Sequence, residues 1–293
     1  MNRRRSAQAQ ILLAAIFFST AGLFVGLIKT DLWSIVFWRS LFSLAFTSAL
    51  MARAPGKHLT KPDRSSLLAV MCSASAMVVF VAALRFTSVA NVAVIYGTLP
   101  LMTAGMAWLI LKERVPRPTG LLCLEAAFGA LVIFWGSSSS GLRLAGDGLA
   151  LLVTGLMALM TIALRNARSS GLMIVALSNG LAALVGALCS PSLTVDVGEL
   201  GILACFALVQ MTLGLLCYTA GSRLLPPAET ALLTLAEVPM SALWVWAAFG
   251  DAPPMLTFVG AAVILTAVVI NLTAPVARQT FDEDDVNGDT PGL

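Results

Sequence analysis

The sequence predicts an all-α integral membrane protein of ten transmembrane helices, built as two inverted five-helix repeats with both termini cytoplasmic. Three observations carry that prediction. The 293 residues are 58% hydrophobic and only 11% charged, with mean hydropathy +0.91, where ordinary soluble domains carry about 25% charged residues. The apolar residues fall into ten runs of roughly 18–23 residues, the length that crosses about 30 Å of hydrocarbon at 1.5 Å per residue. The runs also repeat. Pro100 and Pro239 each lie deep in an apolar run, and LRFTSVANVA at 84–93 parallels SRLLPPAETA at 222–231. A repeat with an odd number of spans must alternate in orientation, an arrangement found in many transporters.

The first repeat, 10–136, follows a basic lead at 1–9. Span 10–30 carries Ser19, Thr20 and the pair Gly22 and Gly26, a spacing that suits close helix packing. Its basic start and small residues at 19–21 resemble a signal peptide. The apolar run continues past that point and has a counterpart opening the second half, so a retained span is expected. Span 33–52 begins with Trp33 and holds Arg39 about 9 Å further in, near enough to the outer face to snorkel. Span 67–86 contains Ser73, Ser75, Met77 and Phe80. Span 89–111 contains Tyr96 and Pro100 and ends in Lys112, Glu113 and Arg114. Span 118–136 contains Glu125. The Ser-rich stretch 137–146 reads as a flexible linker.

The second repeat, 147–274, has spans at 147–165, 171–190, 200–221, 228–249 and 254–274. Gln210 sits mid-span in the third of these; Leu235, Glu237, Pro239 and Trp244 lie in the fourth. The tail 275–293 is polar and acidic, the composition of a disordered segment. Most tryptophans (33, 108, 135, 246) fall near span ends, as an interfacial belt requires; Tyr96 is nearly central.

Charge sets the orientation. With the N-terminus inside, fourteen Lys and Arg residues collect on the inner side, from Arg3 to Arg278, and only Lys29, Arg85 and Arg143 on the outer. Such a bias places both termini in the cytoplasm. It also accounts for the net charge of +3 without a nucleic-acid partner. The five cysteines (72, 123, 189, 205, 217) lie within apolar runs, form no C-x-x-C pair and read as small core residues. A single His argues against a metal site, and no phosphate loop, His-Glu-x-x-His or Gly-x-Ser-x-Gly motif occurs. No cofactor is expected.

IYGTLPLMTAGMAWLILKER (95–114) resembles the fourth-helix signature of the EamA-type drug/metabolite transporters, an apolar helix with a central proline. TLAEVPMSALWVWAAFGD (234–251) resembles its second-half copy. Trp38, Arg39 and Ser40 are similar to the family's Arg-bearing second helix, and GDGLALL (146–152) is similar to the opening of its sixth. Two departures are visible: Val238 separates Glu237 from Pro239, and Asp251 stands where Glu is common. The resemblance implies a secondary transporter in the bacterial inner membrane, with a branch similar to YddG-type aromatic amino-acid exporters implying apolar or aromatic amino acids moved outward.

The polar residues point the same way. An interior proline frees the carbonyl four residues earlier, here Tyr96 and Leu235, and irregular backbone at midplane belongs beside protein or a wet cavity. Tyr96, Pro100, Met77, Phe80, Gln210, Leu235, Glu237, Pro239 and Trp244 are the expected cavity residues. Intramembrane carboxylates are costly and mark ion or substrate paths. Glu237 and Glu125 are the candidates for coupling to protons. Arg39, Lys112 and Glu113 are candidate gate residues; each also has a structural reading, as a topological anchor or a solvated helix end. The expected partners are a small-molecule substrate, the bilayer and protons. From another class, an intramembrane enzyme acting on lipid or isoprenoid carriers would need a reactive cluster at one membrane face, and a scaffold would use the acidic tail.

Overall fold

The computed structural model describes residues 3–53, 61–87, 92, 95–113, 115–136, 144–250 and 252–273. Lys57, Arg114, Arg143, Asp251 and Arg278, with the linker at 137–143 and the tail at 275–293, lie outside the described residues. Among the described residues every regular element is helical. They are α1 (Arg3–Ser19), α2 (Ala21–Leu27), α3 (Leu32–Arg53), α4 (Arg64–Phe86), α5 (Leu99–Leu111), α6 (Arg117–Gly136), α7 (Leu144–Asn166), α8 (Gly171–Cys189) and α9 (Val197–Phe206). A π-helical segment (Ala207–Gly214) then leads into α10 (Leu215–Ser222), followed by α11 (Pro227–Thr234), α12 (Glu237–Phe249) and α13 (Met255–Thr273). Seven runs are long and apolar enough to cross a membrane: Arg3–Leu27, Leu32–Arg53, Ala145–Asn166, Gly171–Cys189, Val197–Ser222, Pro227–Phe249 and Met255–Thr273. The chain is a multi-pass membrane protein. Large apolar side chains such as Leu121, Phe128, Leu184, Leu188 and Trp135 stand exposed on its flanks, as a lipid-facing surface requires.

The described part of the basic lead is helical. Arg3–Gln10 form the first two turns of α1. They are held there because the Arg4 guanidinium and the Gln8 amide both donate to the buried Glu229 carboxylate, each at 2.9 Å.

Both proline-containing spans are broken, and the breaks match. The Thr98 N–H donates to Ile95 C=O at 3.0 Å, and the Ala236 N–H donates to Leu233 C=O at 3.2 Å. These tight turns lie 138 residues apart. Pro100 and Pro239 therefore sit in the first turn of a new helix, not in a helix interior as expected. A missing N–H costs nothing in that position. The carbonyl expected to be orphaned at Leu235 accepts the Val238 N–H at 3.1 Å. Both prolines are buried. The second half-helices then end alike: Lys112 caps α5 with φ 58° and Gly250 caps α12 with φ 77°, again 138 residues apart.

Packing follows the same pairing. α3 lies against α8 and α6 against α13; α1 packs on the π segment and α10, while α7 packs on α4. Each of these contacts joins a helix before the 137–143 stretch to one after it. α6 and α13 approach closely at Gly129 and Gly260, where a Cβ on Gly260 would lie 2.4 Å from the Gly129 carbonyl oxygen. Small residues let backbones meet in a bilayer. The Gly22 and Gly26 pair does the same for α2 on α12, facing Val245 and Phe249. The largest buried cluster runs along α1, α4, α7, α8, α10 and α11, through Ile11, Met160, Leu164, Tyr218 and Leu233. The cysteines divide: Cys72 and Cys123 are buried as core residues, but Cys189 and Cys205 are exposed, because they fall on the outward faces of their helices.

Candidate functional site

Three irregularities of the helices bring the central polar residues together. The first is the break between α1 and α2. Ser19 Oγ donates to Ile16 C=O, and Thr20 Oγ1 to Phe17 C=O, both at 2.6 Å. Such back-bonding competes with the helical ladder and bends it. The second is the π segment, which inserts an extra residue per turn and re-aims side chains, a feature common at functional sites. The third is the matched pair of turns before α5 and α12.

Tyr96 and Glu237 stand at those two turns and meet. The Tyr96 and Glu237 side chains lie close enough to act on each other electrostatically. Both lie deep among the helices, yet both keep part of their surface accessible. Tyr218, on α10, lies close to both. Thr161 Oγ1 donates its one proton to Met157 C=O at 2.8 Å. The Tyr218 hydroxyl must therefore be the donor in its bond to Thr161. Tyr218 is fully buried, and its ring sits 5.9 Å from that of Phe18.

Phe18 links this group to a second one. Its carbonyl accepts the Gln210 Nε2 at 3.3 Å, and Gln210 Oε1 faces Arg39 Nη1 at 3.4 Å. One amide orientation satisfies both contacts. Gln210 is placed by the π segment, and Gly214 at the end of that segment makes room for Phe18: a Cβ there would lie 2.8 Å from the ring. Arg39 is 5% exposed and does not snorkel, contrary to expectation. Its guanidinium carbon stands 5.2 Å over the Phe206 ring, which also stacks with Phe24 at 4.9 Å. The neighbouring Trp38 donates to Leu193 C=O at 3.0 Å, so the 190–196 loop caps this end of α3.

The remaining expected residues are dispersed. Trp244 Nε1 donates to Ser19 Oγ at 2.9 Å, so it bridges α12 to the α1–α2 break, with 38% of its surface exposed. Leu235 is fully buried beside Tyr96, Leu232 and Ala126. Met77 packs against Val36 and Ala182; Phe80 packs against Ala83 and Ala150, apart from the tyrosines. Glu125, half-buried on α6, makes no hydrogen bond or ion pair with a described residue and is not among the groups around Glu237. Lys112 caps α5. Glu113 pairs with Arg165 at 3.9 Å, and Arg165 also donates to Leu225 C=O at 3.2 Å.

Two groups escaped the sequence reading. Tyr218 had one available signal: it is the only tyrosine besides Tyr96. Glu229, 5% exposed, gathers Arg4 and Gln8 at 2.9 Å and Asn271 at 3.5 Å. Its one signal was a carboxylate at the start of an apolar run. Together with Glu113–Arg165 and a third set it joins segments far apart in the sequence. In that third set Asp63 accepts from Ser66 Oγ and from the Arg168 N–H, and Arg223 donates to Ser169 C=O. Those bonds hold the Asp63 carboxyl below its ordinary value, the Ser66 hydroxyl acting most strongly, while burial lowers Arg223. Among the described residues no group of three or more His, Cys, Asp or Glu could hold a metal ion.

Comparison with known proteins agrees with this architecture. Residues 5–135 match the model of the EamA-like transporter family. A solved structure titled only "Crystal structure of protein" shares the fold, with a TM-score of 0.80 over 92% of this chain and 96% of its own, at 16% identity. No curated protein matches the chain.

Proposed function

From the EamA-like match over the first half of the chain, we propose that this protein is a secondary transporter that exports small amphiphilic metabolites, best suited to apolar or aromatic amino acids. It works by alternating access around the Tyr96–Glu237 pair, in a bacterial inner membrane. Ten spans in two inverted repeats, 10–136 and 147–274, with cytoplasmic termini, provide the frame. The matched turns at Thr98 and Ala236 and the helix pairing between the two halves support that reading. The face carrying Arg4, Asp63, Glu113, Arg165 and Arg223 is the cytoplasmic one, and its polar contacts act as the inner gate, with Lys112 and Glu113 at the end of α5.

One observation carries the proposal most: two half-helices of opposite halves each present one polar side chain, Tyr96 and Glu237, to the other deep in an apolar bundle. In a bilayer such groups persist where they bind or conduct. The carboxyl can accept a substrate ammonium or carry a coupling proton, and the surrounding leucines, Phe18 and Tyr218 suit an apolar side chain. The test is flux into proteoliposomes for amino acids, sugars, nucleosides and organic cations, with and without a pH gradient. Uptake of aromatic amino acids that accelerates with the gradient, and loses that acceleration in Glu237→Gln, is the expected result. If Glu237→Gln and Glu125→Gln together leave the pH dependence intact, proton coupling at these groups is wrong. If only sugars or nucleosides move, the substrate class is wrong.

A further inference from the structure

We propose that Arg39, oriented by Gln210, is the subsite for the carboxylate of the transported molecule; the proposal rests on the transporter reading above and deepens it. The guanidinium carries five N–H donors and a permanent positive charge. Among the described residues it makes a single hydrogen bond, to Gln210 Oε1, at a long 3.4 Å. Its Nε is buried with no acceptor. No carboxylate of a described residue lies within ion-pair distance. Asp196 and Glu199, at the start of α9, are turned to other donors: Asp196 to the Gly198 N–H at 3.3 Å and Glu199 to the Lys29 N–H at 3.0 Å.

Buried charges are ordinarily paired and hydrogen-bonded, and buried polar atoms without a partner are rare enough to need a cause. The Phe206 face and one amide oxygen soften this charge without neutralising it. A planar carboxylate does both: it accepts two parallel N–H bonds from a guanidinium and supplies the missing anion.

The surroundings are those of a binding site more than of a structural pin. Arg39 itself stands on regular α3. Its partners stand on the two most irregular pieces of backbone, Gln210 on the π segment and Phe18 at the α1–α2 break. Both elements change shape at low cost, because their ladder is already interrupted. Through Phe18 the arginine is continuous with Tyr218 and the Tyr96–Glu237 pair. A zwitterionic amphiphile would thus meet a cation and a carboxyl along one path lined by aromatic rings.

The test uses the full chain in phosphatidylcholine proteoliposomes, with L-phenylalanine and phenethylamine as probes; the second lacks only the carboxylate. In Arg39→Gln the KM for L-phenylalanine rises about tenfold or more, the factor expected for a lost charge-assisted hydrogen bond. Phenethylamine flux changes less than twofold, and Arg39→Lys recovers part of the loss. Gln210→Glu supplies an internal anion: it raises the melting temperature of the detergent-solubilised protein and abolishes stabilisation by L-phenylalanine. Equal losses for both probes in folded Arg39→Gln would show a structural role and overturn the proposal, as would an unchanged KM for L-phenylalanine. Stabilisation that requires phosphatidylglycerol and ignores L-phenylalanine would assign the site to a lipid phosphate, also overturning it. A wild-type protein that moves carboxylate-free compounds but no carboxylates refutes this subsite alone. One that moves nothing in the wider panel refutes the transporter reading itself.

Discussion

At the scale of single residues, the central polar groups differ in how far the protein satisfies them. Tyr218 is saturated: it donates to Thr161, which in turn donates to Met157. Tyr218→Phe removes the last link of that chain while Thr161 keeps its own acceptor. It should cost about 0.5–1.5 kcal/mol, read as a lower melting temperature in detergent with transport retained. Glu229 is the opposite case, a buried carboxylate holding Arg4, Gln8 and Asn271 at once. Glu229→Gln leaves those donors short of an anion. With the Arg4 side chain still 28% exposed, the loss should be about 1–3 kcal/mol. A double-mutant cycle with Arg4→Gln should return a favourable coupling; additive effects would show that the pair contributes nothing.

At the scale of elements, close approach decides more than hydrophobicity. A Cβ on Gly260 would strike the Gly129 carbonyl oxygen at 2.4 Å, whereas a Cβ on Gly148 meets nothing within 4 Å. Gly260→Ala should therefore force α6 and α13 apart and cost about 1–3 kcal/mol. Gly148→Ala, in the first turns of α7, should be neutral or slightly stabilising. Thermal unfolding of the two variants side by side checks the contrast. Equal melting temperatures would mean that the α6–α13 contact is looser than its geometry. The π segment depends on the same logic, since Gly214 admits the Phe18 ring that places the carbonyl for Gln210.

At the scale of the whole molecule, polar bonds join segments far apart in the sequence. Asp63, at the start of α4, is held to the α7–α8 connection through Ser66 and the Arg168 N–H. Its folded value lies below its ordinary 3.8, so the fold favours the charged form. That contribution is complete above the unfolded value and disappears as pH falls through the lower folded one. Between pH 6 and pH 3 the wild-type melting temperature should fall further than that of Asp63→Asn. Parallel curves would remove Asp63 from the account.

The membrane class and the region of the proline breaks were legible because their causes are local. Hydropathy needs only a run of side chains, charge bias needs only loops, and a proline disturbs the helix it occupies. The breaks were displaced by a turn because the chain can resume helix at a proline more cheaply than it can carry one inside. Arg39 looked near enough to an end to reach water, but depth along its own helix says nothing of the Phe206 ring and the Gln210 amide that stand against it. Glu229 and the first turns of α1 are partners 225 residues apart, and neither is marked as such in its own segment.

Composition and periodicity alone thus determined that this chain is a multi-pass helical protein, since solvation by lipid acts on each residue independently of its neighbours. Tertiary structure alone decided that Tyr96 stands near Glu237, that Gln210 joins Arg39 to Phe18, and that Arg39 is buried with no acid of a described residue beside it. Those facts depend on which helices touch, and contact geometry between distant segments is carried by packing, not by any one stretch of sequence.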